Sequence, residues 1–235
     1  MEKIRLAILA SGAGTTGEPI FERCVIIITN NPDAGVIERA KKYGIPFEVR
    51  MRKDYQEEGS YSPKKYGEEL IRILKGQNAN FISQNGWAIL TPSNIIVAFK
   101  DRIVNSHPAP LDPGYSDFGG AGMHGLAVHQ AVLNFARAVN RPFHTEVTLH
   151  KVGEEYDKGS LLMFTPVEIL PDDSAETLQE RLKEVEKKQN KEFWEKVQQT
   201  KKLEVIERPN RLILPEEVEI LEKAKLDAVA KYPHG

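Results

Sequence analysis

The chain alternates between short apolar runs and amphipathic stretches, and no other feature narrows its fold as far. Leu6 to Ala10 is apolar and ends in Ser11-Gly12-Ala13-Gly14-Thr15-Thr16; the next run, Cys24 to Ile28, is closed by Thr29-Asn30-Asn31-Pro32. Residues 34–43 have helical composition, and Gly44 stands where a helix C-terminus favours glycine. Pro46 to Val49 predicts a third strand, and Pro63 to Lys75 a helix with Tyr66, Leu70, Ile71 and Leu74 at helical spacing. Phe81-Ile82 and Ile103-Val104-Asn105 open further strands. Apolar runs of this length bury both faces in a parallel sheet, and the helices between them must cross over it. The prediction is an α/β fold with a Rossmann-like, doubly wound, mostly parallel sheet.

The texture changes after residue 140. Thr145 to Val152 alternates as a strand does, Ser160 to Ile169 predicts another, and the polar stretch Gly153 to Gly159 is the loop between them. These two make an antiparallel extension of the sheet. Ser174 to Thr200 predicts one long helix, capped by Ser174, with Thr177 where a full capping box carries Glu. Leu178, Leu182, Val185, Phe193 and Val197 form its apolar stripe. Arg211 to Leu214 predicts a strand and Pro215 starts a short helix. The division expected is a catalytic domain over residues 1–200 and a C-terminal tail, 201–235, packing on the same domain.

Bulk properties exclude several classes. The 235 residues carry a formal net charge of -2, so no bulk positive charge is available to hold a nucleic acid. Cys24 is the single cysteine, which excludes a disulfide framework and a multi-cysteine metal site; in Arg23-Cys24-Val25-Ile26-Ile27-Ile28 it reads as a small buried hydrophobe. No stretch approaches the length of a membrane span. The apolar residues before Gly12 are too few for a secretory signal and are interrupted by Arg5. The chain is therefore read as cytoplasmic, with no membrane partner.

Three segments carry side chains suited to chemistry. In Ser11 to Thr16, glycines let a phosphate approach the backbone, hydroxyls add donors, and a helix starting there would add partial positive charge. The segment lacks the Gly-Lys-Ser/Thr of a Walker loop and the third glycine of a dinucleotide loop, and a plain strand-to-helix turn accounts for it equally well. Val104-Asn105-Ser106-His107-Pro108 closes a strand, at the end of the sheet where open α/β folds gather ligands. Two apart on an extended segment, Asn105 and His107 share a face. An amide and an imidazole converging there suit a carbonyl oxygen that gains negative charge; a structural histidine accounts for the same spacing. Pro108 keeps His107 extended. On composition alone, the carboxylates of Glu154-Glu155-Tyr156-Asp157-Lys158-Gly159 are those of a solvated loop.

Taken together, Asn105-Ser106-His107-Pro108 after one strand, then Thr145-Glu146-Val147 and Asp157-Lys158-Gly159 before another, resemble the paired signature of the folate-dependent formyltransferases. The order of Ser11-Gly12-Ala13-Gly14, Thr29 to Gly35 and Ile89-Leu90-Thr91-Pro92 resembles the glycinamide ribonucleotide transformylase branch, over roughly residues 4 to 200. The resemblance implies formyl transfer from 10-formyltetrahydrofolate to the amine of glycinamide ribonucleotide, a step of purine biosynthesis. It implies small molecules as the partners and a monomer or homodimer. Asn105 and His107 would stabilise the oxyanion of the tetrahedral intermediate. Asp157 would keep His107 protonated and relay protons from the attacking amine through water. Gly12, Gly14, Thr15 and Thr16 would hold the substrate phosphate with Lys183, and Glu186 would meet the amine. Gly86, Trp87, Ile89 and Leu90, with Gly153 and Glu154, would form the pterin slot. No metal is implied, because the donor is already activated and the enzyme supplies position and electrostatics.

The sequence departs from that pattern in places. Thr16 to Arg23 is markedly shorter than the family's first helix, which predicts a stub after the phosphate loop. Trp87-Ala88-Ile89 is shortened where the family carries Met and Arg, and Ala109 to Pro113 replaces its Ser-Leu-Leu-Pro. A glycine-rich insert, Gly114 to Gly125, follows; His124 and His129 are candidates for substrate contact or plain surface residues. A sugar-nucleotide N-formyltransferase, a formyltetrahydrofolate hydrolase and a non-catalytic nucleotide-binding relative share parts of the pattern. Methionyl-tRNA formyltransferase would add a basic C-terminal domain to it.

Overall fold

The computed structural model describes residues 3–233. Strands β1 (Leu6–Leu9), β2 (Cys24–Thr29) and β3 (Phe47–Val49) come first, then a short hairpin, β4 (Gln56–Glu57) and β5 (Ser60–Tyr61). β6 (Phe81–Asn85), β7 (Ile103–His107), β8 (Thr145–Lys151) and β9 (Leu161–Val167) follow. The main sheet has the order β3-β2-β1-β6-β7-β8-β9. Pairings from β3 through β7 are parallel; β8 and β9 are antiparallel to their neighbours. This is the doubly wound sheet with an antiparallel extension that the sequence predicts.

Period-two alternation assigns the faces. Leu6, Ile8 and Ala10 lie with Val36 and Ala40 of α1 (Val36–Tyr43) and with Phe193, Trp194 and Val197 of α5 (Ala175–Thr200). Ala7 and Leu9 point the other way, into Tyr66, Leu70 and Leu74 of α2 (Pro63–Gly76) and Ile95 of α3 (Ser93–Ala98). A third cluster joins α4 (Gly125–Ala138), the first turns of α5 and α6 (Val218–Lys231) through Val128, Val132, Leu178, Leu182, Leu221 and Ala228. Each aliphatic side chain so buried contributes about 1.5–3 kcal/mol. Among the described residues no helix is long and apolar enough to cross a membrane.

The ends of α5 show how local chemistry sets a boundary. The Ser174 Oγ accepts the Thr177 N–H at 3.2 Å, and the Thr177 hydroxyl accepts the Ser174 N–H at 2.9 Å. A threonine thus completes the reciprocal pair that Glu usually supplies. The predicted stub is present: Thr15–Arg23 is a nine-residue 3-10 helix with Pro19 inside it. It packs against α5, where Asn190 Nδ2 donates to Thr16 O at 3.2 Å.

Three expectations need correction. Arg211 to Leu214 forms no strand: the Leu212 N–H goes to the Asp112 carboxylate at 2.9 Å, and Ile213 is buried in the cluster around α4 and α6. A side-chain acceptor and an apolar pocket therefore take the place of a ladder partner. The helix after Pro215 is not short, since α6 runs fourteen residues and lays Leu221, Ala224 and Ala228 against α4. Cys24 is half-buried rather than fully buried, and desolvation pushes its thiol up to about 12.

Candidate active site

The chain runs from β1 outward to β3, then returns to place β6 on the other side of β1. Parallel sheets that reverse direction this way open a crevice beyond the carboxyl ends of the strands at the switch. A cavity of about 570 Å³ lies there, a size suited to a small-molecule ligand. It is lined by the Ser11–Thr16 loop, by residues 85–88 and 105–108, by Gly120 to Gly125, and by Tyr156, Asp157, Lys183 and Glu186.

At its floor sit the side chains of β7. Antiparallel register places Asn105 opposite His150. Asn105 Nδ2 donates to His150 Nε2 at 3.0 Å and reaches Asp157 Oδ1 at 3.4 Å. His150 Nδ1 lies 2.8 Å from Lys151 O, an oxygen that can only accept, so the proton sits on Nδ1 and Nε2 is the acceptor. The same logic fixes His107: its Nε2 is 3.0 Å from Phe118 O and must donate, while Nδ1 faces Asp157 Oδ1 at 3.7 Å. That last distance is too long for a hydrogen bond and leaves the Nδ1 edge open toward a ligand.

Asp157 gathers these groups. Burial acts to raise its carboxyl, but the adjoining His107 charge, the His150 contact and the Gly120 N–H, at 3.0 Å from Oδ2, outweigh it and hold the group well below the usual carboxylate range. The residue adopts φ +57°, a left-handed conformation that Asp tolerates better than most side chains. Two glycines permit the arrangement. A Cβ on Gly159 would stand 1.7 Å from Lys151 O, and one on Gly119 would stand 2.6 Å from Asp157 Cβ. The glycine two places after the aspartate is thus a packing requirement where the loop folds back on β8.

Gly12, Gly14, Thr15 and Thr16 also line the cavity, with Gly14 at φ +67° and no room for a Cβ beside Val36. Lys183 and Glu186, one turn apart on α5, line it too. Lys183 is part-exposed and pairs with Glu180 at 2.6 Å. Glu186 is only 6% exposed, and burial pushes its carboxyl up to about 7, with Ser106, Thr16 and Lys183 opposing the rise. His129 is buried on α4 with Nδ1 unpartnered, and burial, then the His107 and Lys183 charges, lower it to about 3. His124 is exposed at the mouth.

The proposed pterin slot is brought together only in part. Gly86 and Trp87 line the cavity. Ile89 is packed into the core under α2 and α3, Leu90 is 43% exposed, and Gly153 and Glu154 lie outside the lining. Ala88 and Tyr156 line the cavity as well. Sequence reading missed His150, whose signal is its register opposite Asn105, and missed Phe118 O and Gly120 N–H, which are backbone groups that no side-chain pattern announces.

The formyl transferase family matches residues 4–192. A chloroplastic phosphoribosylglycinamide formyltransferase of Arabidopsis thaliana is 33% identical over 76% of this chain, which spans 60% of that relative's length. The phosphoribosylglycinamide formyltransferase of Dictyostelium discoideum is 31% identical over 78% of this chain and 92% of its own. The crystal structure of phosphoribosylglycinamide formyltransferase from Bacillus halodurans superposes with a TM-score of 0.68 at 29% identity, covering 82% of this chain and 94% of that one. The chain belongs to the formyl transferase family.

Proposed function

We propose that this chain transfers a formyl group from 10-formyltetrahydrofolate to the amine of glycinamide ribonucleotide, in purine biosynthesis. The observation that carries the proposal is one cavity lined together by Asn105, His107 and Asp157, by a glycine-hydroxyl loop and by the buried Glu186. The acceptor has a phosphate at one end and an amine at the other, and the chemistry of the loop with Lys183 and of Glu186 suits those two groups. Backbone N–H groups of Gly12 to Thr16 and the Lys183 ammonium suit the phosphate. Glu186, as carboxylate, suits the amine.

Part of the cavity lining also supports a place for the donor's flat ring. Gly86 is at φ +71° with nothing within 4 Å of a Cβ, so a ring can approach the backbone there; Tyr156 and the largely buried Trp87 also line the cavity. When bound, the donor supplies an activated formyl carbon. There, one Asn105 N–H, turned from its long 3.4 Å reach to Asp157, and the Nδ1–H of a doubly protonated His107 would donate to the formyl oxygen as it gains negative charge. Asp157 holds His107 and takes the proton that the amine loses on attack, passing it through water to the carrier nitrogen as the carbon–nitrogen bond to the carrier breaks.

Calorimetry with glycinamide ribonucleotide tests the acceptor. We expect Lys183→Ala to weaken binding about tenfold, the loss of one charge-assisted contact. Unchanged affinity, or binding of an amino sugar nucleotide alone, sinks the acceptor assignment. Turnover with water alone would favour the hydrolase reading. A cytoplasmic placement and a monomeric or homodimeric state go with the proposal. Fractionation and light scattering check them, the first with particular interest because the Arabidopsis relative is named as chloroplastic.

A further inference from the structure

We propose that the carboxyl-terminal helix α6 is part of the active-site scaffold, with Lys225 as a positioning residue that sets the loop orienting His107 and Asp157. Lys225 Nζ donates to Asp117 O at 3.2 Å and to Gly119 O at 2.9 Å. The carbonyl between them is that of Phe118, which takes the His107 Nε2–H, and the next N–H is that of Gly120, which donates to Asp157 Oδ2. One ammonium therefore grips the backbone on both sides of the group that fixes the His107 ring. Charge-assisted bonds of this kind are roughly twice as strong as neutral ones.

The loop needs such a hold. Gly114, Gly120 and Gly122 all stand at positive φ, and glycine-rich backbone loses the most freedom on ordering. The tail grips it elsewhere as well: Arg208 Nε donates to Leu111 O at 2.6 Å, the Leu212 N–H to Asp112 Oδ2 at 2.9 Å, and Val229 lies over Gly122. Inside the loop, the buried Asp117 carboxylate accepts the Asp112 and Gly119 N–H groups and pairs with Lys158, the neighbour of Asp157. The formyl transferase family model matches residues 4–192, so α6 lies outside the residues it matches. The kinetic consequence rests on the proposed function; the positioning itself does not.

The test uses the full chain with Lys225→Met, Lys225→Arg and Lys223→Met. Lys223 is on the same helix and pairs with Asp227 on the exposed side. Lys225→Met should stay folded and lose about tenfold or more in kcat with acceptor KM held within about twofold, since misplacing a catalytic group costs rate more than binding. Its His107 ring-nitrogen NMR signals, read without substrate, should move away from those of the wild type as the Nε2–H partner is lost. Lys225→Arg should recover part of both, and Lys223→Met should match the wild type. A folded Lys225→Met with wild-type kcat or unmoved His107 signals overturns the proposal, as does an equal loss in Lys223→Met. If Lys225→Met does not fold, Val229→Ala loosens the second contact and must show the same pair of changes. Moved His107 signals in a protein that formylates no acceptor would leave the positioning role standing and remove the proposed function.

Discussion

Replacing Glu186 by Gln should stabilise the protein at pH 8 and leave it unchanged at pH 4. The carboxyl is buried under α5 beside Thr16 and Ser106, and burial raises it from 4.5 to about 7. Below 4.5 it is protonated in both the folded and unfolded chains, and no difference arises. Between 4.5 and about 7 the folded chain holds a proton that the unfolded chain has released, so stability falls as pH rises. Above 7 the folded state carries a buried carboxylate, and the full cost is present. With 1.36 kcal/mol for each tenfold change in proton affinity, the gap amounts to about 3 kcal/mol. Gln keeps the shape and never ionises, so Glu186→Gln should exceed the wild type by roughly that amount at pH 8 and converge with it at pH 4. Urea unfolding of both proteins at pH 4, 6 and 8 measures the difference; groups that titrate alike in both cancel. The same carboxylate should make acceptor affinity rise between pH 5 and 7 in the wild type and stay flat in the variant. Parallel stability curves for the two proteins would refute the assignment of a raised, buried Glu186.

Asp157→Asn keeps the size of the side chain but removes the charge facing His107 and turns an acceptor into a donor near Gly120 or Asn105. Single-turnover rates should fall by about 10²–10³ with the fold intact, and a folded variant with near-normal rate would defeat the mechanism. Because Asp157 is held below the ordinary carboxylate range, the stability it contributes is present above its unfolded value and lost as pH falls. The wild-type advantage over Asp157→Asn should therefore shrink below about pH 3.8, as read by acid unfolding. Gly159→Ala drives a Cβ into Lys151 O, so it should cost on the order of 3 kcal/mol and most of the turnover; a thermal midpoint equal to wild type would show that the loop can relax around it.

Much of this protein is legible along the chain because parallel sheets impose local rules. Runs such as Leu6 to Leu9 are apolar on both faces since both are covered, and the glycines and prolines that end them mark where strands stop. Asn105 and His107 share a face by strand geometry alone, and Asp157 and Gly159 stand out as a pair by resemblance. Other features depended on register and on contacts distant in sequence. His150 joins the centre because β8 runs antiparallel to β7 with that residue opposite Asn105, and a shift of one place would have turned it to the other face. The resemblance implies Ile89 as a slot residue, yet its side chain packs into the core with residues of α2 and α3, contacts that lie outside any local pattern. Arg211 to Leu214 has strand-like composition, but the Asp112 carboxylate and the pocket against α4 outcompete a sheet edge for its backbone and side chains. Composition and period act between neighbours; the His107 ring meets a carbonyl eleven residues away, whose two neighbouring carbonyls accept from a lysine more than a hundred residues on, and only the folded chain brings those groups together.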